Sequence, residues 1–219
     1  MSRFVVKVGG AVAGHSADAV LELAREHEVC VVHGAGPQIS LEMERAGIPV
    51  EFVGGRRVTS AEGLAIVRAS LTAVNGALCA AIGGRAVALF GDEIGLDADP
   101  VPELGLVGEA RPSALPTVRR TLEQGRIPVV APRGPLNVNA DDAAAAIAIG
   151  IDADELLFLT DVDGLILDGV VVDSIGVDAA ADLLENGSLE GGIIPKLGAA
   201  VTAARGGVRA SIGQTAVAA

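Results

Sequence analysis

Two lysines, one aspartate and a set of glycines carry the chemistry that can be read from this chain. The stretch "KVGG" sets Lys7 at the end of an apolar run and follows it with Gly9 and Gly10. A strand ending there presents an ammonium group and bare backbone N–H groups at one point, which is how proteins hold phosphate. A second turn, "VHGAGPQIS", frees the N–H groups of Gly34, Ala35 and Gly36 and leads into a helix whose N-terminus favours an anion. Either turn alone is a common packing device; two of them on neighbouring parallel strands point to phosphate.

Further along, "NVNADD", residues 137 to 142, brings two asparagines and Asp141 to a helix start. That pattern fits a helix cap with Asp141 facing the helix dipole, and it equally fits amides that hydrogen-bond a substrate while Asp141 holds nearby lysines. "GGIIPK", residues 191 to 196, places Lys196 at the head of another helix, where an ammonium beside phosphate would add charge as phosphoryl transfer develops it. In "GGRRVTS", one of Arg56 and Arg57 is expected in solvent and the other in a bidentate pair with a carboxylate. His33 reads as a hydrogen-bonded, semi-buried side chain. His15 and His27 have no acids at catalytic spacing, no serine sits in a nucleophile elbow, and no Walker A sequence is present. Covalent catalysis and a P-loop are therefore not supported.

The elements that must position these residues alternate. Strand 3–8, helix 16–27, strand 29–32, helix 37–46, a loop to Arg57 and helix 60–81 open the chain. The strands are apolar on both faces, as in a parallel sheet covered by helices on each side. Residues 92–110, rich in acid, glycine and proline, read as a loop or small hairpin over the sheet edge, followed by helix 113–125 and the strand "IPVVAP". Helix 141–150, strand 155–160 and a hairpin at Asp168-Gly169 begin a second lobe, with the boundary near 134. In open α/β sheets ligands bind outside the carboxyl ends of the strands, and the glycine turns fall there.

Composition narrows the function further. A chain of 219 residues, half of them apolar, can bury a sizeable core. Its longest apolar run, residues 143–151, is shorter than the roughly 20 residues of a membrane span, and no secretory leader precedes the first strand; the expectation is a soluble, cytoplasmic protein. A net charge of −12 with four Phe and no Trp or Tyr argues against a nucleic-acid surface. Cys30 and Cys79 are expected buried and reduced.

Taken in order, "KVGG", "VVHGAGPQIS", "RRVTS", "ELGLVGEA", "LNVNADDAAAAIA", "FLTDVDGLI" and "GSLEGGIIPKLGAAVTAARGGV" resemble the amino acid kinase superfamily, and within it most closely the N-acetylglutamate kinases. The resemblance runs to about residue 208. It implies an open α/β/α sandwich with a mainly parallel central sheet. An N-terminal lobe (1–134) would bind the acyl acceptor and dimerise, and a C-terminal lobe (135–219) would bind nucleotide. It further implies ATP- and Mg2+-dependent phosphorylation of the side-chain carboxylate of N-acetyl-L-glutamate, a step of arginine biosynthesis. Lys7 and Lys196 would bracket the phosphoryl group, the N–H groups of Gly10 and Gly34 would bond its oxygens, and Asp141 would orient the lysines. Arg57 and Asn137 would hold the α-carboxylate and acetamido group, with Gly34 and Ala35 lining that pocket. Gly9, Gly10, Gly36, Thr160 and Asp161 would face the nucleotide; no protein ligand to magnesium is implied.

Three departures from the family pattern stand out: alanine at 35 where glycine is usual, a shorter 92–104 segment over the acceptor, and an end lacking about one helix and strand. With no helix ahead of strand one, the resemblance implies a homodimer insensitive to arginine. Two other functions remain open at this point. One is a kinase for glutamate or aminoadipate carried on an acidic carrier protein, which needs a basic rim. The other is a catalytically weak module that binds a nucleotide or amino acid.

Overall fold

Apolar runs become strands and the amphipathic stretches between them become helices. The structure, a computed structural model, describes residues 1–9, 16–160 and 163–218. The first half runs β1 (Arg3–Val8), α1 (Ser16–Leu23), β2 (Glu28–His33), α2 (Gly36–Arg45), a small hairpin β3 (Phe52–Val53) and β4 (Arg56–Arg57), and the long α3 (Ala61–Ile82). It continues through β5 (Ala86–Phe90), α4 (Gly91–Ile94), β6 (Ala98–Pro100), β7 (Val107–Ala110), α5 (Pro116–Glu123) and β8 (Ile127–Ala131). Then come β9 (Asn137–Val138), α6 (Ala140–Gly150), β10 (Glu155–Leu159), β11 (Ile166–Leu167) and β12 (Val170–Val171). The last elements are β13 (Ser174–Gly176), α7 (Val177–Glu185), α8 (Ile193–Arg205), β14 (Arg209–Ile212) and β15 (Thr215–Ala218).

One eight-stranded sheet, in the order β13-β15-β14-β10-β1-β2-β8-β5, runs through the molecule. Neighbours are parallel except β14 and β15, so the sheet is mainly parallel. Helices cover both faces, giving the open α/β/α sandwich that the resemblance implied. Val6, Val8, Val29, Val31 and Val129 pack on the side of α1, α2 and α3. Val5, Cys30, Val32, Leu156 and Phe158 pack on the side of α5, α6 and α8. Side chains alternate along a strand, so Lys7 shares the α6 face with Val5, and His33 shares the α3 face with Val29 and Val31. That parity fixes which helix each polar side chain meets.

Several expectations are corrected. Helix α1 ends at Leu23 rather than 27, because Arg25 and Glu26 bond three residues back, to Glu22 and Leu23, in a tightened last turn. The expected loop before Arg57 is a two-residue hairpin: Val53 pairs with Arg56 across Gly54 and Gly55, whose φ values of 54° and 77° are those that a type I′ turn requires. Residues 92–110 do hold a hairpin, β6–β7, and β9 extends it to three strands. Cys30 is buried, but Cys79 is only partly so, since its position on α3 turns it toward the helix flank; both thiols are free.

Candidate active site

The parallel register lines up the carboxyl ends of three strands. Lys7 lies beside Val32 of β2 and Phe158 of β10, and Val8 beside His33 and Leu159, so Gly9, Gly34 and Thr160 follow side by side. A cavity of about 320 Å³ opens at this edge. Its floor is Lys7, Gly9, Gly34, Ala35 and Gly36; Asn137, Thr160 and Lys196 form its walls.

Lys7 is 6% exposed and its Nζ sits 2.7 Å from Asp141 Oδ1. Asp141 itself lies behind the lysine, not on the cavity wall. It is held by the start of α6, where Asn139 is the N-cap and its Oδ1 accepts from the Asp141 N–H at 2.8 Å. The capping residue of the "NVNADD" stretch is thus Asn139, and Asp141 is free to serve Lys7. Asn139 also lines the cavity.

Helix α2 begins at the cavity with no side-chain cap, no acid in its first turn, and Pro37 among its first residues. The N–H of its first residue, Gly36, and the dipole suit an anion. Helix α8 likewise starts without a side-chain cap or an acid in its first turn; Lys196, its fourth residue, donates to Gly192 O at 3.0 Å and faces the same cavity.

The arginine pair divides differently from expectation. Arg56 is the one that meets carboxylates, Asp142 at 3.1 Å and Glu109 at 3.3 Å. Burial alone would lower its pKa, but those two acids outweigh burial and raise it. Arg57 is neither solvated nor paired with a carboxylate: it is 7% exposed, and its guanidinium donates to Ser40 Oγ (2.8 Å), Gly36 O (3.2 Å) and Met43 Sδ (3.5 Å), with the Phe52 ring 4.6 Å away. Burial lowers the Arg57 pKa with no carboxylate to offset it. The strand pleat explains the split, since adjacent residues of β4 point to opposite faces. Burial raises the Asp142 carboxyl, Arg56 works against that rise, and the charge of Asp141 adds to it.

Asn137 Nδ2 donates to Thr59 Oγ1 at 2.9 Å, and that hydroxyl donates to Arg57 O at 2.8 Å, so the amide and the arginine strand are braced together. Gly10 and Asp161 lie outside the described residues. The other residues expected at the site fall on the cavity, with Asp141 behind them. Sequence reasoning missed Phe52, Ile39, Leu71 and Pro132, which supply apolar wall. The 52–57 hairpin lines this cavity and residues 92–104 do not, and "FVGGRR" carried the signal, an apolar pair before a double-glycine turn.

The amino acid kinase family model matches residues 2–214. The chain belongs to the amino acid kinase family. Within that family it is similar to the acetylglutamate kinase of Rubrobacter xylanophilus, with 41% identity over 97% of this chain and 88% of that protein. Among solved structures, that of smu.665 from Streptococcus mutans UA159 superposes with a TM-score of 0.89 at 27% identity, covering 99% of this chain and 98% of that one. Carbamate kinase from Giardia lamblia bound to AMP-PNP shares the fold, with a TM-score of 0.73 at 15% identity over 99% of this chain and 98% of that one. ATP-dependent phosphoryl transfer is the chemistry of this kinase family, and the lysines at one edge of the sheet suit it.

Proposed function

We propose that this kinase transfers the γ-phosphoryl group of ATP to the side-chain carboxylate of N-acetyl-L-glutamate. The observation that carries the reading is Arg57. It is a buried guanidinium beside the cavity whose partners are all neutral, and a buried cation without a counter-charge fits the α-carboxylate of an incoming ligand. The 41% identity to an acetylglutamate kinase supports the same acceptor, against 15% to a carbamate kinase. The braced Asn137 amide suits the acetamido group, and Ala35, Ile39 and Phe52 suit its methyl and the aliphatic chain.

One acceptor carboxylate oxygen attacks the γ-phosphorus as the bond from that phosphorus to the ADP oxygen breaks. The products are an acyl phosphate and ADP, and no proton moves. Asp141 is therefore not a base; it holds Lys7 in place. The transition state spreads negative charge over the phosphoryl oxygens, so the work is positioning and neutralisation. Lys7 and Lys196 do that here; the N–H of Gly34, expected to join them, instead donates to Val8 O at 3.3 Å as the strands β1 and β2 run on past their ends, and Gly10 lies outside the described residues. Gly9, Gly36 and Thr160, which line the cavity, would face the nucleotide. Among the described residues no cluster of three metal-ligating side chains occurs. Magnesium would ride on nucleotide phosphate oxygens and water, neutralising the charge of the donor.

Near the hairpin Arg56 is already engaged by Glu109 and Asp142, which weakens its attraction for an acidic carrier protein. A free acceptor is the better fit. We place the N-terminal lobe (1–134) on the acceptor and the C-terminal lobe (135–219) on the nucleotide, in a cytoplasmic homodimer.

The experiment is turnover with ATP and Mg2+, trapping the acyl phosphate as its hydroxamate, with N-acetylglutamate, N-acetylaspartate, glutamate and carbamate as acceptors. Hydroxamate from N-acetylglutamate alone is the expected result; none from it overturns the acceptor assignment. Lys196→Ala should lower kcat by about 100-fold or more, the scale for a group that stabilises transition-state charge, with the melting temperature little changed.

A further inference from the structure

His33 is fully buried on the face of the sheet opposite Lys7, and nothing in the reaction above uses its ring. Its surroundings fix its protonation atom by atom. Asn75 of α3, also fully buried, donates from Nδ2 to Val129 O at 2.9 Å, and its Oδ1 accepts from Cys79 Sγ at 3.6 Å. The amide orientation is thereby settled, and it is Nδ2, a donor, that lies 3.1 Å from His33 Nε2. Nε2 must then be the acceptor, so the proton is on Nδ1, which lies 3.2 Å from Gly34 O. Burial, and the charge of Lys7 across β1, keep the ring neutral.

The consequence reaches the cavity through one peptide bond. The Gly34–Ala35 peptide is trans, so its carbonyl and its N–H point in opposite directions. Pulling Gly34 O inward onto the ring turns the Ala35 N–H outward, into the cavity that Gly34, Ala35 and Gly36 line. Among the described residues nothing accepts from that N–H.

We propose that Asn75 and His33 are positioning residues of the transfer site: Asn75 sets the Nδ1–H tautomer, and His33 thereby aims the Ala35 N–H at the reacting acceptor carboxylate. The role of the N–H rests on the acceptor reading given above; the tautomer does not.

Two measurements test it. The 15N shifts of the His33 ring in the labelled, ligand-free protein should report the Nδ1–H tautomer, the minor one for free imidazole, unchanged between pH 8 and 6. An Nε2–H tautomer, or titration near pH 6.5, overturns the proposal. The second measurement compares His33→Leu with His33→Asn, whose side-chain N–H can still reach Gly34 O. His33→Leu should lower kcat about tenfold or more with the KM for ATP little changed, while His33→Asn should stay within a few-fold of the parent. Equal losses in both variants, or none in His33→Leu, overturn it. If His33→Leu does not fold, His33→Asn carries the comparison against Asn75→Leu, which should shift ring population to Nε2–H and lower kcat. A parent protein inert toward N-acetylglutamate would refute the acceptor assignment while leaving the tautomer measurement to stand or fall by itself.

Discussion

His33 takes up a proton only at about pH 4, where an ordinary imidazole does so at 6.5, because burial penalises the charged ring. Between those values the unfolded chain binds a proton that the native protein refuses, so stability falls as pH drops through the window and is fully present above it. A shift of this size corresponds to about 3 kcal/mol at the acid end. Urea midpoints should therefore decline from pH 7 to 4.5, and His33→Asn should flatten the decline by removing this one group; an unchanged slope would mean that the ring is protonated in the native state. At the same scale, Ala35 has a negative φ, −142°, so its conformation does not call for glycine, and its methyl group takes up space beside the cavity that it lines.

On the acceptor assignment proposed above, the hairpin β3–β4 is the element on which acceptor binding turns. Its tip Gly55 lies against Pro195 in the first turn of α8, so the hairpin touches the helix that carries Lys196. Both tip residues have positive φ, which costs an L-residue about 1 kcal/mol or more. The double change Gly54→Ala with Gly55→Ala should raise the KM for the acceptor several-fold and leave that for ATP nearly unchanged; equal effects on both would mean that the hairpin does not roof the acceptor alone. This element shows where sequence reading ran short. Strands such as "FVVKV" and "IPVVA" announce themselves as apolar runs, whereas two-residue strands carry no periodicity to detect. The same uniform apolarity hid the facing of Lys7 and His33: strands apolar on both sides do not tell which side meets which helix, and only the register of β1 against β2 and β10 settles it. That the glycine turns and lysines would meet was legible because few residue types suit phosphate and these recur at strand ends; the structure brings them to one cavity. The carboxylate partners of Arg56 were not, since Glu109 and Asp142 come from β7 and α6, far along the chain.

At the scale of the whole molecule, α3 stands out. By length and composition it could cross a membrane, yet Val67, Leu71, Val74 and Leu78 pack it into the core. Its other face exposes Ala65, Ala69, Ala73, Gly76 and Ala80, a smooth surface beside which a second copy could lie closely. This is where we place the homodimer contact. Ala73→Glu should convert a dimer to a monomer in sedimentation equilibrium, and a dimer of undiminished affinity would move the contact elsewhere. The position of β1 has a consequence of another kind. It is a central strand, and on one side its neighbour is β10, with Arg3 N bonded to Asp154 Oδ2 across 151 residues of chain. During synthesis β1 can pair with β2 early, but its other edge, lined by the apolar "FVV", stays open until β10 leaves the ribosome. At the typical rate of about 5–20 residues per second that is a wait of roughly 8 to 30 seconds. For that interval the nascent chain offers an unpaired sticky edge to other chains and to chaperones, and the wait ends only when the strand leading to Thr160 arrives to close it.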